Sequence, residues 1–272
     1  MLPLFEKNHT TIKRPILRPL IEIIFENLYD SGFRKFCFVI GKTKNSIANH
    51  LLPDPYFTRL LKKRDLEFDN EFIMTINRVS KKIKNSTIKW VTQETPMGFG
   101  DALLSAKKFV GTGTFLLHAG DAYFPSYKFL PATIKKFKTS PNVSGMLFLQ
   151  RKTELRGYGI AQIKKQGKEN IVFNVEEKPK KPLSNLVILP LYLFKSNIFD
   201  ALKRTLKGYN GELQLTDAIR TVINDKEKIL YSKYTEKYWA DIGIPQHYHE
   251  ALNISYRNAT RTIRFPRYKN FI

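Results

Sequence analysis

Four short stretches of this 272-residue sequence hold residue types able to handle an anion. In QETPMGFGDA, Gln93 closes an apolar stretch, and Gly98 and Gly100 precede a predicted helix. Glycine lets a backbone approach a ligand closely, and a helix N-terminus behind it suits an anion or a polar base edge. A glutamine amide donates and accepts at once, which matches the donor and acceptor edge of uracil or thymine. Taken alone, the stretch is as simply a plain loop. FLLHAGDAYF sets Asp121 just beyond the C-terminal end of an apolar strand, where ligands of open α/β sheets sit. A carboxylate there can hold Mg²⁺, which takes one or two carboxylates plus substrate phosphates, or it can be an ordinary turn or capping aspartate. WADIG supplies a second candidate, Asp241, but sequence spacing does not show that the two meet.

VEEKPKKP places Glu176, Glu177 and Lys178 at a strand end, with Pro179 stopping further pairing. A lysine point charge suits a phosphate monoester and a neighbouring carboxylate suits sugar hydroxyls, although an exposed charged turn reads the same way. GELQLTDAI puts Gly211 and Glu212 just before a helix, where a carboxylate can also complement the helix dipole. The histidines make no metal set, because His247 and His249 are too close for an i, i+4 pair and His9, His50 and His118 stand apart. The one cysteine, Cys37, lies inside the apolar run FCFVI and reads as a small core residue.

These stretches need a scaffold, and apolar periodicity supplies one. Residues 19 to 30 read as an amphipathic helix with Leu20, Ile24 and Leu28 on one stripe, Ile21 and Phe25 beside it, and Glu22 and Glu26 turned to solvent. KFCFVIG, TFLLHAG and VSGMLFLQ are continuous apolar runs, as expected of strands covered on both faces. Helical patterns separate them (FGDALLSAKKF, KFLPATIKKF), so the fold is predicted to be α/β, with a Rossmann-like, mostly parallel mixed sheet and helices on both faces. Residues 45 to 85 are lysine-rich and read as a helical excursion over the sheet. From Gly157 the chain turns β-rich, with YGIAQIKK, NIVFNVEEK, NLVILPLYLF and ILYSKY, and with helices over SNIFDALKRTL (Ser196 as N-cap), LTDAIRTVI and a last segment from about Pro245. One domain over 1–256 is expected, with a nucleotide-binding half at 1–156, a sugar-binding half at 157–256 and a basic tail at 257–272.

Composition fits a folded domain: 42% of residues are hydrophobic and 13% aromatic. No stretch matches a membrane span or a secretory leader, and a single cysteine fits a reducing compartment, so a soluble cytoplasmic protein is expected. The balance of 46 Lys+Arg against 24 Asp+Glu gives +22 and favours anionic partners. The lysines come in short scattered clusters that read as solvated faces. With no aromatic RNA-binding motif, zinc pattern or basic helix, nucleic acid is not the expected partner.

The order of the motifs carries more than any one of them. Gln93 through Ala102, GD at Gly120 and Asp121, YG at Tyr158 and Gly159, EKP from Glu177, GELQLTDAI and DIG from Asp241 together resemble the linear series of the sugar-phosphate nucleotidylyltransferases. The likeness runs from Leu2 almost to Ala251 and is nearest to UTP:glucose-1-phosphate uridylyltransferases and glucose-1-phosphate thymidylyltransferases, archaeal forms especially. The resemblance implies transfer of UMP or dTMP from UTP or dTTP to a hexose 1-phosphate, with pyrophosphate leaving, in a homo-oligomer. It implies Gln93, Gly98 and Asp121 at the nucleotide, Asp121 and Asp241 on Mg²⁺, Gly159 and Glu177 at the sugar, Lys178 at its phosphate, and Glu212 supporting the sugar side. Asp121, Lys178 and Asp241 are the expected catalytic set.

The sequence departs from the family pattern in places. MLPLFEK resembles a segment that relatives carry after a buried first strand and a glycine-rich loop, so that strand and loop are expected to be missing from this chain. Either the natural start lies upstream, which retention of Asp121, Asp241 and Lys178 favours, or the chain is a shortened, non-catalytic homologue that binds a sugar nucleotide. Pro190 stands where relatives carry glycine against the sugar, and Ile244 where they carry threonine, so an altered sugar pocket is expected.

Overall fold

A computed structural model describes residues 2–7, 15–51, 67–167, 169–236 and 238–261. At its centre is β7 (Val143–Arg151), the predicted apolar run VSGMLFLQ extended by one residue. Its Met146 and Phe148 enter one hydrophobic cluster, and Leu147 and Leu149 enter another on the opposite face. Period-two geometry sends neighbours to opposite sides, so a strand covered on both faces must be apolar throughout. On one side β7 pairs in parallel with β11 (Lys228–Lys233); on the other it pairs antiparallel with β10 (Leu186–Lys195). β5 (Thr114–His118) lies beyond β10, while β9 (Glu169–Glu176) and β8 (Ile160–Gln166) lie beyond β11. The sheet is mixed, its strands in the order β5-β10-β7-β11-β9-β8, and not mostly parallel as expected: only β7 and β11 run parallel in it, because the other strands of the β-rich second half join by antiparallel pairings.

A separate parallel ladder joins β3 (Lys35–Gly41) to β4 (Thr87–Gln93), with Gly41 opposite Gln93. Among the described residues β5 pairs only with β10, and β3 only with β4. The free edges of β3 and β5 face each other across a cavity of about 1150 Å³, lined by Phe36, Phe38, Ile40, Phe115 and Leu117 among others. The cavity explains why Cys37, Phe38 and Val39 are only half-buried. Cys37 is therefore not the fully enclosed core residue expected, although its surroundings still push the thiol pKa up.

Helices cover the sheet largely where predicted. The lysine-rich excursion contains α2 (Asn45–Leu51) and α3 (Glu67–Lys84), and its middle lies outside the described residues. FGDALLSAKKF breaks at Ala106 into α4 (Phe99–Ser105) and α5 (Lys107–Val110), and α6 (Leu130–Thr139) covers KFLPATIKKF. In the second half stand α7 (Ile198–Arg204), α8 (Leu215–Asn224) and α9 (Pro245–Thr260). The N-cap of α7 is Asn197, not Ser196, and no side chain caps it. Two short strands escaped the sequence reading: β1 (Pro3–Lys7) and β2 (Pro15–Pro19) form an antiparallel pair. β1 is held to α9, with Phe5 N donating to Ser255 Oγ at 3.1 Å and Tyr248 Oη donating to the Pro3 carbonyl at 2.8 Å.

Helix α1 (Leu20–Asp30) forms as predicted, but two of its residues face the other way from expectation. Glu22 and Glu26 are buried rather than solvated. They surround Arg18, itself 3% exposed, which pairs with Glu6 at 2.7 Å, with Glu26 at 2.5 Å and with Glu22. His50 of α2 reaches Glu22 at 2.8 Å, and Lys82 of α3 reaches Glu26 at 2.9 Å. Charged positions on an amphipathic helix read as a wet face only when no partner helix brings opposite charge to them.

Candidate active site

The two aspartates do meet. After β5 the chain turns through Gly120 and Asp121 into β6 (Ala122–Tyr123), which pairs antiparallel with β12 (Ala240–Asp241). In that register Ala122 stands opposite Asp241, and Ile242 N donates to the Asp121 carbonyl at 2.9 Å. Asp121 is exposed to solvent on one side of the turn, yet its carboxyl pKa is raised, first by the protein crowding it and then by the Asp241 charge, while Lys44 pulls the other way. A raised carboxyl beside a second carboxylate is what a cation would relieve, and the donor set suits Mg²⁺, which needs only one or two protein carboxylates. Among the described residues no three or more His, Cys, Asp or Glu side chains gather as a denser metal cluster.

His118, just before this turn, is not available for proton transfer. Burial depresses its pKa to about 4. Its Nδ1 faces the Ala119 carbonyl at 2.7 Å and its Nε2 faces Tyr127 Oη at 2.6 Å. The carbonyl can only accept, so Nδ1 carries the proton and Nε2 accepts from the tyrosine.

Gln93, at the end of β4, lines the same cavity as Gly98, Asp121 and Glu212. Its amide nitrogen is already engaged, with Asp101 Oδ2 at 2.7 Å and the Gly98 carbonyl at 3.3 Å. Among the described residues the amide oxygen has no donor. The glycines of this loop also make a close packing contact within the protein. A Cβ on Gly98 would come within 2.9 Å of both Glu212 Cβ and the Leu213 carbonyl, and one on Gly100 within 2.6 Å of that carbonyl. Gly100 N donates to the Leu213 carbonyl at 2.9 Å, and Leu213 N donates to the Met97 carbonyl at 2.8 Å. The close approach is to the GELQL segment, so the glycines join two motifs more than 100 residues apart. Glu212 thereby stands against the Gly98–Gly100 loop, where it accepts from Gln214 Nε2 at 3.1 Å.

The residues expected at the sugar form a second group. Gly159 precedes β8, and its carbonyl accepts from Ile188 N of β10 at 2.8 Å. Glu177 follows β9, and its Oε2 accepts from Thr216 Oγ1 of α8 at 2.6 Å. A Cβ on Gly159 would lie 3.2 Å from both of those oxygens, so this glycine clears the space in front of the carboxylate. Lys178 adopts a left-handed backbone, φ 43°, and its Nζ stands 3.7 Å from Glu177 Oε1. Pro190 falls within a register shift of β10 against β7, as suits a residue without an N–H. Its carbonyl accepts from Ala119 N at 3.0 Å, which ties β10 to the Asp121 turn. Thr216, Gln214 and Lys44 were not singled out from sequence. Thr216 lies inside the quoted GELQLTDAI, but its partner is 39 residues away and no local signal announces it.

A family model described as nucleotidyl transferase matches residues 12–257. The chain belongs to that family. It is 29% identical to the UTP–glucose-1-phosphate uridylyltransferase of Bacillus subtilis, over 83% of this chain and 76% of that protein. A Methanocaldococcus jannaschii protein given the same activity provisionally is 28% identical over 100% of this chain and 92% of its own length. Among solved structures, UDP-glucose pyrophosphorylase in complex with UDP-glucose superposes with a TM-score of 0.74 at 21% identity, covering 93% of this chain and 90% of that one. The UTP-bound enzyme of Acinetobacter baumannii gives 0.73, also at 21% identity, covering 91% and 84%. The chain is thus a transferase on the α/β fold of these structures, and no helix among the described residues is long and apolar enough to cross a membrane.

Proposed function

We propose that this transferase joins UTP, or dTTP, to a hexose 1-phosphate, with glucose 1-phosphate and UTP the leading pair, in the cytoplasm and as a homo-oligomer. The observation that carries the reading is the Asp121–Asp241 pair, set at the strand ends beside the Gln93–Gly98 loop. In this reading the Gln93 oxygen accepts from the N–H of the base, and the Gly98 backbone borders it. Asp121 and Asp241 would hold Mg²⁺, which supplies charge neutralisation between phosphates when bound. Lys178 faces the sugar phosphate, Glu177 takes sugar hydroxyls with Thr216 fixing its rotamer, Gly159 leaves them room, and Glu212 braces the nucleotide loop against the sugar side.

The chemistry is an in-line displacement. A sugar-phosphate oxygen forms a bond to the α-phosphorus of the nucleotide, and the bond to the bridging oxygen breaks, its electron pair leaving with pyrophosphate. No side chain needs to take a proton, because the attacking phosphate oxygen is already an anion. The residues contribute placement and charge compensation. The test is pyrophosphate release from UTP, dTTP and ATP with glucose 1-phosphate and Mg²⁺, alongside calorimetric binding of UDP-glucose. Release with UTP or dTTP, lost in Asp121→Ala and Asp241→Ala, is expected; full activity in both variants would overturn the carboxylate assignment.

A further inference from the structure

Tyr209 is half exposed, yet it is not loosely held. It opens a short 3₁₀ turn, Tyr209–Gly211, in which Asn210 and Gly211 both adopt left-handed φ, 57° and 72°. The turn is fastened from both sides. Gln214 Nε2 donates to the Tyr209 carbonyl at 3.1 Å, and Gly208 N donates to the Glu212 carbonyl at 2.8 Å. A large aromatic ring on a fixed turn at the rim of a site calls for a partner, and the structure shows one. Lys178 Nζ stands 4.9 Å from the centre of the Tyr209 ring.

Lys178 has an obvious competitor for its ammonium in the adjacent Glu177. Yet the nearest separation is 3.7 Å, longer than a hydrogen bond, and the other Glu177 oxygen is taken by Thr216. Lys178 also holds a left-handed backbone that a residue with a Cβ adopts only where its surroundings enforce it, a pattern that clusters at ligand sites. A cation over a ring face is attracted by the ring quadrupole without an acceptor saturating its N–H groups.

We propose that Tyr209 is a positioning residue for Lys178, holding the ammonium at the rim of the sugar-phosphate subsite with its donors unspent on Glu177. This rests on the reading of that subsite given above. The occupant it serves is a phosphate monoester, whose oxygens take up the lysine donors.

The test is calorimetric titration of glucose 1-phosphate and of UDP-glucose into the wild-type chain and the variants Tyr209→Phe, Tyr209→Leu, Lys178→Met and the Tyr209→Leu/Lys178→Met double variant, with thermal unfolding as a check on folding. Tyr209→Leu is expected to weaken glucose 1-phosphate binding about two- to five-fold, the size of an exposed cation–π contact, while Tyr209→Phe keeps the ring face and binds as wild type. In the Lys178→Met background, Tyr209→Leu should add no further loss. In turnover, KM for the sugar phosphate should rise in Tyr209→Leu with kcat unchanged. Equal weakening by Tyr209→Leu with and without Lys178, or none in either, would overturn the positioning role while leaving the subsite in place. If Lys178→Met binds glucose 1-phosphate as wild type does, or wild type binds no sugar phosphate, the subsite reading fails and this inference with it.

Discussion

Asp121 carries two opposing demands. Its carboxyl is raised by the protein crowding it and by Asp241, so ionising it costs the free protein stability, a cost that solvent at this exposed turn keeps small. A group with a raised folded pKa contributes stability that is complete below its unfolded value and is lost as pH rises through the folded one. At neutral pH, Asp121→Asn is therefore expected to unfold at a temperature no lower than wild type, with any gain vanishing in acid; a clearly lower melting temperature at pH 7 would count against it. The same variant should lose about two orders of magnitude or more in turnover, since several kcal/mol of charge compensation go with the carboxylate. The sequence could nominate Gln93, Asp121, Glu177, Lys178 and Asp241 as candidates because their types and their order along the chain are chemical facts. What Thr216 and Tyr209 do was not legible, because a hydroxyl or a ring acquires a role only from the partner the fold brings to it.

Two junctions between elements rest on contacts that a single substitution removes. At the first, the glycine loop before α4 docks on the segment before α8, with Gly98 at φ 106° and no room for a Cβ. Gly98→Ala combines a strained backbone with a clash against backbone atoms, and should destabilise by roughly 1–3 kcal/mol. Urea unfolding would measure this, and UDP-glucose binding should weaken with it. At the second, Arg18 gathers Glu6, Glu22 and Glu26 between β1, β2 and α1. Arg18→Met leaves three carboxylates facing one another without their central cation, and a loss of about 3–5 kcal/mol is expected, as for breaking other buried ion pairs. A midpoint in urea within error of wild type would mean that Lys82, Arg78 and His50 suffice for Glu22 and Glu26. Periodicity located α1 correctly but misassigned its charged side, because the pattern reports where apolar residues lie and not whether another element covers the remainder.

At the scale of the whole molecule, the facing edges of β3 and β5 are the conspicuous feature. Exposed strand edges present unmade backbone hydrogen bonds, each worth about 0.5–1.5 kcal/mol when formed. The sequence by itself determined the succession of strands and helices, since continuous apolar runs and 3.6-residue periodicity follow from covering a sheet on both faces. It also determined the motif order that marks the family. Tertiary structure alone decided that Asp121 meets Asp241 across a two-strand ladder, that two loop glycines serve Leu213, and that Glu22 and Glu26 are buried. These are contacts between segments far apart in the chain, and no local pattern encodes them because they depend on how separate elements come to rest against one another.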